Sequence, residues 1–534
     1  MNRLSKILNC LLIAFIIGHF LIDSTSSSAQ ITFQKTFSGG IYNHAFFVEQ
    51  TSDGGYIITG SSKGDSYNSV LVLLKLDAAG DTMWTRIIGC SNELYGWRVR
   101  QTSDNGFIIL ASTDDSNKDF EGFALIRINA TGDTLWTKTY VNNYGTGIGD
   151  ILVLDDGSLI IIGDTHDSNT GLYYFFMMKC DETGNILWNK ELVNKDLPVN
   201  LSGSCIGKTT DGNFIIAGTF NRSQFLNGLA LFKINSSGDT LWTKLFLVAD
   251  PYPTDIHLAH DGGYILSTTP PSGGKDGLIK TDSYGNVEWV KKYWNMPYLD
   301  THASSSVSPT DDDGFILSGS DGNFSGDFIY LVKTNSTGDV VWSKEYGADD
   351  NVSESLSWMT QTSDHGYILC GGVSPEYFSS EIYTVKTDSL GTSGCNENPV
   401  TFVVIPDTFQ YYSVPIQDTS LAFETPTVSY AIGKGMMTNT NCFESGFPEI
   451  TDELAAITIY PNPASDRIAV SLSKLMTDQT KLIFYDEMGI KKKEFLLRNS
   501  TVEIGIEDLM TGIHFYEVVN KNQVWYTGKL IVQR

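Results

Sequence analysis

The side chains able to do chemistry in this chain are few and far apart: His44, Tyr95, Trp97, Arg98, Asp255, His257, His302, Glu354 and Trp358. Aromatic rings, imidazoles and carboxylates in such a mixture can stack on a sugar ring, hold a peptide by hydrogen bonds, or move a proton. The same mixture lines any polar channel mouth. No nucleophile, base and orienting partner are spelled out together, so the residues suit a glycan- or protein-binding module better than an enzyme. An extracellular hydrolase or lyase working in a channel mouth is the alternative, and no cofactor is expected.

Other chemistry is weaker. Asp115, Asn117 and Asp119 alternate oxygen ligands but lack the glycine and distal glutamate of a calcium loop, so they read as an acidic hairpin loop. The cysteines Cys90, Cys180, Cys205, Cys370, Cys395 and Cys442 form no C-x-x-C pair, which leaves little support for a zinc or redox centre. Cys395 and Cys442 bracket a segment of distinct composition, and a bridge between them would stabilise it by ~4 kcal/mol on the chain-entropy model. The net charge is −26. Residues 451–534 hold 10 Lys and Arg against 11 Asp and Glu, and residues 1–29 hold 2 against 1, so 30–450 alone carry −26. Such a body repels nucleic acid and anionic lipid headgroups.

The first 29 residues read as a secretory signal: Arg3 and Lys6, the apolar run Leu11–Ile22, then small residues up to Ala29. About a dozen apolar residues are too few for a membrane span, which needs roughly 20, and no later stretch is long and apolar enough. Cys10 precedes the apolar run, the wrong place for a lipoprotein cysteine.

The elements that must position the candidate residues come from a repeat. Copies of the Lys233–Lys244 sequence, K-I-N-S-S-G-D-T-L-W-T-K, place turn glycines at 80, 132, 184, 238, 285, 338 and 391, a period of 47 to 54 residues. Six are followed four residues later by tryptophan (Trp84, Trp136, Trp188, Trp242, Trp289, Trp342), and two further on by Arg86, Lys138, Lys190, Lys244, Lys291 or Lys344. The tryptophans read as packing between neighbouring units and the cations as solvated or stacked edge charges. A second signature keeps the period at Asp53, Asp104, Asp156, Asp211, Asp261, Asp312 and Asp364, where Asp-Gly and Asn-Gly dipeptides predict two-residue hairpins. Four short strands per unit, near 45–51, 55–61, 69–77 and 82–88 in the first, predict an all-β, seven-bladed β-propeller over residues 30–391. After Gly391 no tryptophan strand follows. Ile31–Phe37 resembles the missing one, with Phe33 in the tryptophan place, and is expected to complete the seventh blade. A β-solenoid is the runner-up. The turn spacing, Asp/Asn-x-x-Gly-x-x-x-Trp, is neither the sialidase Asp box nor the one-residue-longer quinoprotein repeat. Five arginines (Arg86, Arg98, Arg100, Arg127, Arg222) are few for a sialidase. Residues 392–452 read as a linker or small β insert.

The tail, 453–534, carries Tyr460-Pro461-Asn462-Pro463, Gly489, Leu509-x-x-Gly512 and a closing strand with Lys529. It resembles the type A C-terminal sorting domain of the type IX secretion system. The resemblance implies a small β-sandwich, export by Sec, passage across the outer membrane by the type IX machinery, and a secreted or cell-surface product without a transmembrane segment. Secreted propeller proteins with such tails carry similar repeats; a regular scaffold without a catalytic set, joined to an export tail, suits a glycan or surface protein as partner, and the negative charge leaves no place for nucleic acid.

Overall fold

One kind of turn, used twice per unit, sets the architecture. The Thr51 N–H donates to Gly55 O (2.8 Å) and the Gly54 N–H to Thr51 O (2.9 Å), with Gly54 at φ +82°. This is a three-residue loop ending in one left-handed residue, not the two-residue hairpin expected from Asp-Gly. Asp53 is the cause: its carboxylate accepts the Gly55 N–H (3.0 Å) and the Thr51 hydroxyl, which holds a right-handed turn ahead of the left-handed residue. Three copies fill that last place with Asn105, Asp313 and His365 in place of glycine. The turn of the repeated motif has the same form, with Asn235 N–H to Asp239 O and Gly238 N–H to Asn235 O both 2.9 Å.

The computed structural model describes residues 30–533 apart from connections at 64–68, 91–92, 115–121, 143–144, 168–169, 194–199, 224–225, 248–251, 270–275, 296–301, 324–325, 348–352, 377–378, 408–409, 414–416, 420–430, 434–436, 444–456, 461–463, 473–479, 486–490, 498–500 and 521–522. The signal read in 1–29, the acidic loop 115–119, Pro461–Pro463 and Gly489 therefore lie outside the described residues.

The described residues are all β, arranged as small antiparallel, blade-like sheets in chain order, the first and seventh of which are joined by one parallel pairing, Tyr42 with Ser380. The first sheet is Tyr42–Gln50, Tyr56–Lys63, Val70–Leu76 and Thr82–Gly89. The next five open with Glu93–Gln101, Gly145–Val153, Asn200–Lys208, Tyr252–Leu258 and His302–Pro309. The seventh has three strands of its own, Ser353–Gln361, Tyr367–Glu376 and Ser379–Thr387. Phe33–Ser38 adds to its edge antiparallel, with Phe33 opposite Lys386 and Phe37 opposite Ile382. The middle strands are buried on both faces, as in Leu71–Leu76, so each sheet needs a neighbour on either side. Every sheet shares apolar cores with the sheets before and after it, and Phe47, Ile58, Trp358 and Ile368 join the seventh to the first.

The tryptophan seals each of these junctions. A Cβ on Gly238 would lie 2.7 Å from the Trp188 ring, so only glycine lets the next turn settle on it. The same contact pairs Trp84 with Gly132, Trp136 with Gly184, Trp242 with Gly285, Trp289 with Gly338 and Trp342 with Gly391. Phe33 meets Gly80 in this way. The following cation reaches over its aromatic ring to that next turn: Lys138 to Asn185 (2.6 Å), Lys291 to Asp339 (2.5 Å), and, from the N-terminal strand, Lys35 to Asp81 (2.5 Å). The hairpin aspartates are equally engaged, each pairing with a third-strand cation, as in Lys75–Asp53 (2.9 Å), Lys233–Asp211 (3.2 Å) and Lys333–Asp312 (2.8 Å).

The segment read as a linker supplies edge strands. Glu397–Pro399, Phe402–Asp407, Gln410–Ser413, Gln417–Thr419, Ala431–Gly433 and Met437–Phe443 add in turn to the sixth, fifth, fourth, third, first and seventh sheets. The tail forms a three-stranded sheet (Ile457–Tyr460, Arg467–Leu472, Thr501–Gly505) and a four-stranded one (Lys491–Leu496, Thr480–Tyr485, Gly512–Asn520, Gln523–Val532). Ile468, Val470, Leu482, Phe484, Val518 and Leu530 share one core there. Leu509 is buried in it, Gly512 has φ +143°, and Lys529 pairs with Phe515 in the last hairpin.

Candidate functional site

Each of the seven first strands carries a bulge at one fixed place, six residues before its hairpin aspartate. The register shifts fall between Ala45 and Phe47, Gly96 and Arg98, Ile148 and Asp150, Gly203 and Cys205, Pro253 and Asp255, Ser304 and Ser306, and Leu356 and Trp358. A bulge re-aims the side chain that follows it. The seven that follow, Phe47, Arg98, Asp150, Cys205, Asp255, Ser306 and Trp358, are all buried.

This layer mixes apolar and polar side chains, and of its buried polar atoms Arg98 Nε has no hydrogen-bond partner among the described residues. The Arg98 guanidinium lies 4.4 Å from the Trp358 ring centre and 5.3 Å from that of Phe47, with Asp150 at 3.4 Å. Asp150 accepts the N–H of Ile151 (2.8 Å) and, across the junction, that of Ile206 (3.5 Å). Asp255 repeats the arrangement with Ile256 (2.9 Å) and Val307 (3.2 Å), and the Ser306 hydroxyl accepts the Met359 N–H (3.0 Å) while donating to Met359 O (3.1 Å). Asp150, Asp255 and Ser306 thus tie the first strands of the third, fifth and sixth sheets to those of the fourth, sixth and seventh. Burial lowers the Arg98 pKa, and burial with the Asp255 and Asp150 charges pushes the Cys205 thiol well up, so no thiolate is available.

Partly accessible layers lie on either side. Two residues further along the strands stand Glu49, Arg100 and His257. Arg100 bonds Glu49 (3.1 Å), Asp150 (3.3 Å) and Ile151 O (3.1 Å). His257 Nε2 lies 3.2 Å from Asp255, and the imidazole is 43% accessible. Burial opposes its charge, but the Asp255 carboxylate prevails and its pKa is raised. On the opposite side His44 bonds the Ser357 hydroxyl (2.8 Å) and packs on Phe46 (5.2 Å), which packs on Trp97 (5.6 Å). Trp97 Nε1 donates to Gly149 O (2.9 Å), which fixes the indole, while burial lowers the His44 pKa.

The structure thus gathers His44 with Trp97, Arg98 with Trp358, and Asp255 with His257. Tyr95 donates to Glu93 at the edge of its own strand. Glu354 is buried elsewhere, against Gly347 and near Tyr383, and does not join the layer. His302 pairs by its backbone with Asp321, and its side chain lies outside the described residues. Sequence reading missed Glu49, Arg100, Asp150, Cys205 and Ser306, although counting six residues back from each hairpin aspartate finds the buried layer in every unit. Among the described residues, no group of three or more His, Cys, Asp or Glu is placed to hold a metal, and no helix is long and apolar enough to cross a membrane. Cys395 is disulfide-bonded, whereas Cys180, Cys205 and Cys370 are free thiols.

Residues 458–533 match the family model of the secretion system C-terminal sorting domain. No curated protein matches the chain. Among solved structures it is similar to PorZ, an essential bacterial surface component of the type IX secretion system of Porphyromonas gingivalis, at 10% identity and TM-score 0.37, covering 90% of this chain and 58% of PorZ. It is also similar to a protein of unknown function from Dyadobacter fermentans (11% identity, TM-score 0.35, 66% of this chain and 97% of that one). Drosophila Semaphorin 1a extracellular domains match at 9% identity and TM-score 0.30, over 66% of this chain and 87% of that one. The chain ends in a type IX secretion C-terminal sorting domain, and its destination is the cell surface or the extracellular space.

Proposed function

We propose that residues 30–391 form a seven-bladed β-propeller closed by Phe33–Ser38, exported with a C-terminal β-sandwich sorting domain, and that the propeller binds a glycan or a protein at the cell surface. The unbroken sequence of shared cores, from the first sheet through the seventh and back, supports the closed propeller. The observation that carries the binding role is the partly accessible trio His44, Phe46 and Trp97, held as a fixed aromatic platform at one end of the first strands. Such a platform suits the apolar face of a sugar or an aromatic side chain, with Ser357 and the His44 imidazole supplying polar contacts. The Sec and type IX machineries are the partners in export. Glycan and peptide arrays probed with the mature chain should give a defined ligand whose binding falls at least about tenfold in Trp97→Ala. Arrays that stay empty, or binding unchanged by that substitution, would remove this reading.

One observation favours the enzymatic alternative. The accessible His257 imidazole, oriented by buried Asp255, is where a general acid or base of a hydrolase or lyase would stand. Turnover of a polysaccharide or peptide panel that disappears in His257→Ala would establish it.

A further inference from the structure

The stretch from Ser393 to Phe443 travels through the sheets against their chain order and comes back to where it began. Its strands add to the outer edges of the sixth, fifth, fourth, third and first sheets and end on Phe33–Ser38 beside the seventh. Its two ends meet at one residue, Gln34. The Gln34 Nε2 donates to Ser393 Oγ (2.9 Å) and to Cys395 O (2.5 Å) at the start of the stretch. Its backbone pairs with Cys442 at the end. Cys395 is disulfide-bonded, and Cys180, Cys205 and Cys370 are buried thiols whose pKa values burial raises, so exchange with them is suppressed.

We propose that Cys395 is bonded to Cys442, so that residues 395–442 form a covalent girdle around the sheets and lock the N-terminal strand Phe33–Ser38 in place. That strand lies between Ser379–Thr387 on one side and Met437–Phe443 on the other, far from both in sequence. The girdle, unlike the bond itself, rests on the closed-propeller reading. Formation is ordinary thiol–disulfide exchange: two thiols give up two protons and two electrons to the disulfide of an exported thiol oxidoreductase, which leaves as a dithiol.

Peptide mapping of the mature chain, alkylated and digested without reductant, should recover one linked pair containing Cys395 and Cys442. Chain nicked by protease between these residues should stay one species on a denaturing gel until reduced. In Cys442→Ser the amides of Phe33–Ser38 should exchange with deuterium at least about tenfold faster while those of the third and fourth sheets are unchanged; if that variant fails to fold, wild-type chain under native reductant serves as the second measurement. Linkage of Cys395 to another cysteine, or two free thiols, overturns the bond. The expected linkage with unchanged exchange at Phe33–Ser38 overturns the lock. Failure of the closed-propeller reading is separate and would appear as an open outline in small-angle scattering.

Discussion

Arg98 shows what the individual residues of the buried layer are for. It stands among Phe47, Trp358 and Asp150 with 6% of its surface exposed, and removing it leaves a void beside a carboxylate. Arg98→Ala should cost about 3–5 kcal/mol, read as a lower urea midpoint, as expected for breaking a buried pair. Arg98→Met should cost less than half of that, because Asp150 keeps Arg100 and two backbone N–H groups. Titration gives a second residue-scale prediction. Asp104, Asp181 and Asp312 are held at about 2 by hydrogen bonds that outweigh their slight burial, so the stability they contribute is full above the unfolded value of 3.8 and is lost as pH falls toward 2. His257 behaves oppositely: with a raised pKa, its contribution is full below 6.5 and is lost as pH rises through the folded value. Thermal midpoints followed from pH 2 to 9 should therefore be highest between about 4 and 6.5, and His257→Asn should flatten the alkaline side.

At the scale of elements, Phe33–Ser38 does the work of a tryptophan strand with a smaller ring. Phe33 is fully buried against Gly80 and Tyr56, so Phe33→Ala should lower stability by about 3–5 kcal/mol in urea unfolding. Lys35→Met should cost less than about 1 kcal/mol, since the partner Asp81 is exposed and rehydrates. This strand was legible because its F-x-K pattern fills the one gap in a sevenfold repeat, and the hairpins were legible from their Asp, Asn and Gly. The turn length was misread because Asp53 bonds its own backbone, a local competition that the dipeptide Asp-Gly does not reveal. The segment 397–443 was legible as a possible small β insert, but the sheets its strands join were not. Runs of three to seven residues carry no periodicity, and their partners lie far away, as Ala431 opposite Gly89 shows. The candidate site residues were half legible for a related reason: the bulge places them by register, and register belongs to strand pairs, not to single strands.

For the molecule as a whole, the charge of −26 and the edge strands added to six of the seven described blade-like sheets both oppose edge-to-edge pairing between copies. A chain ending at 391 would keep its charge deficit but bare the outer strands of the fourth, fifth and sixth sheets, among others. It should elute from a sizing column as aggregate, whereas a chain ending at 443 should elute as monomer. The sorting domain, with its own two sheets and core, adds no strand to the described blade-like sheets, so its removal should leave the thermal midpoint of the rest within about 2 °C.

The reversed course of the edge strands also sets an order of events in time. A segment whose strands lie on the sixth sheet, then the fifth, then the fourth can pair only after those sheets exist, and the last of its strands, Met437–Phe443, docks on Phe33–Ser38. Folding therefore cannot finish until the chain is present as far as Phe443, and the sheets stay incomplete until Phe33–Ser38 and Met437–Phe443 have met.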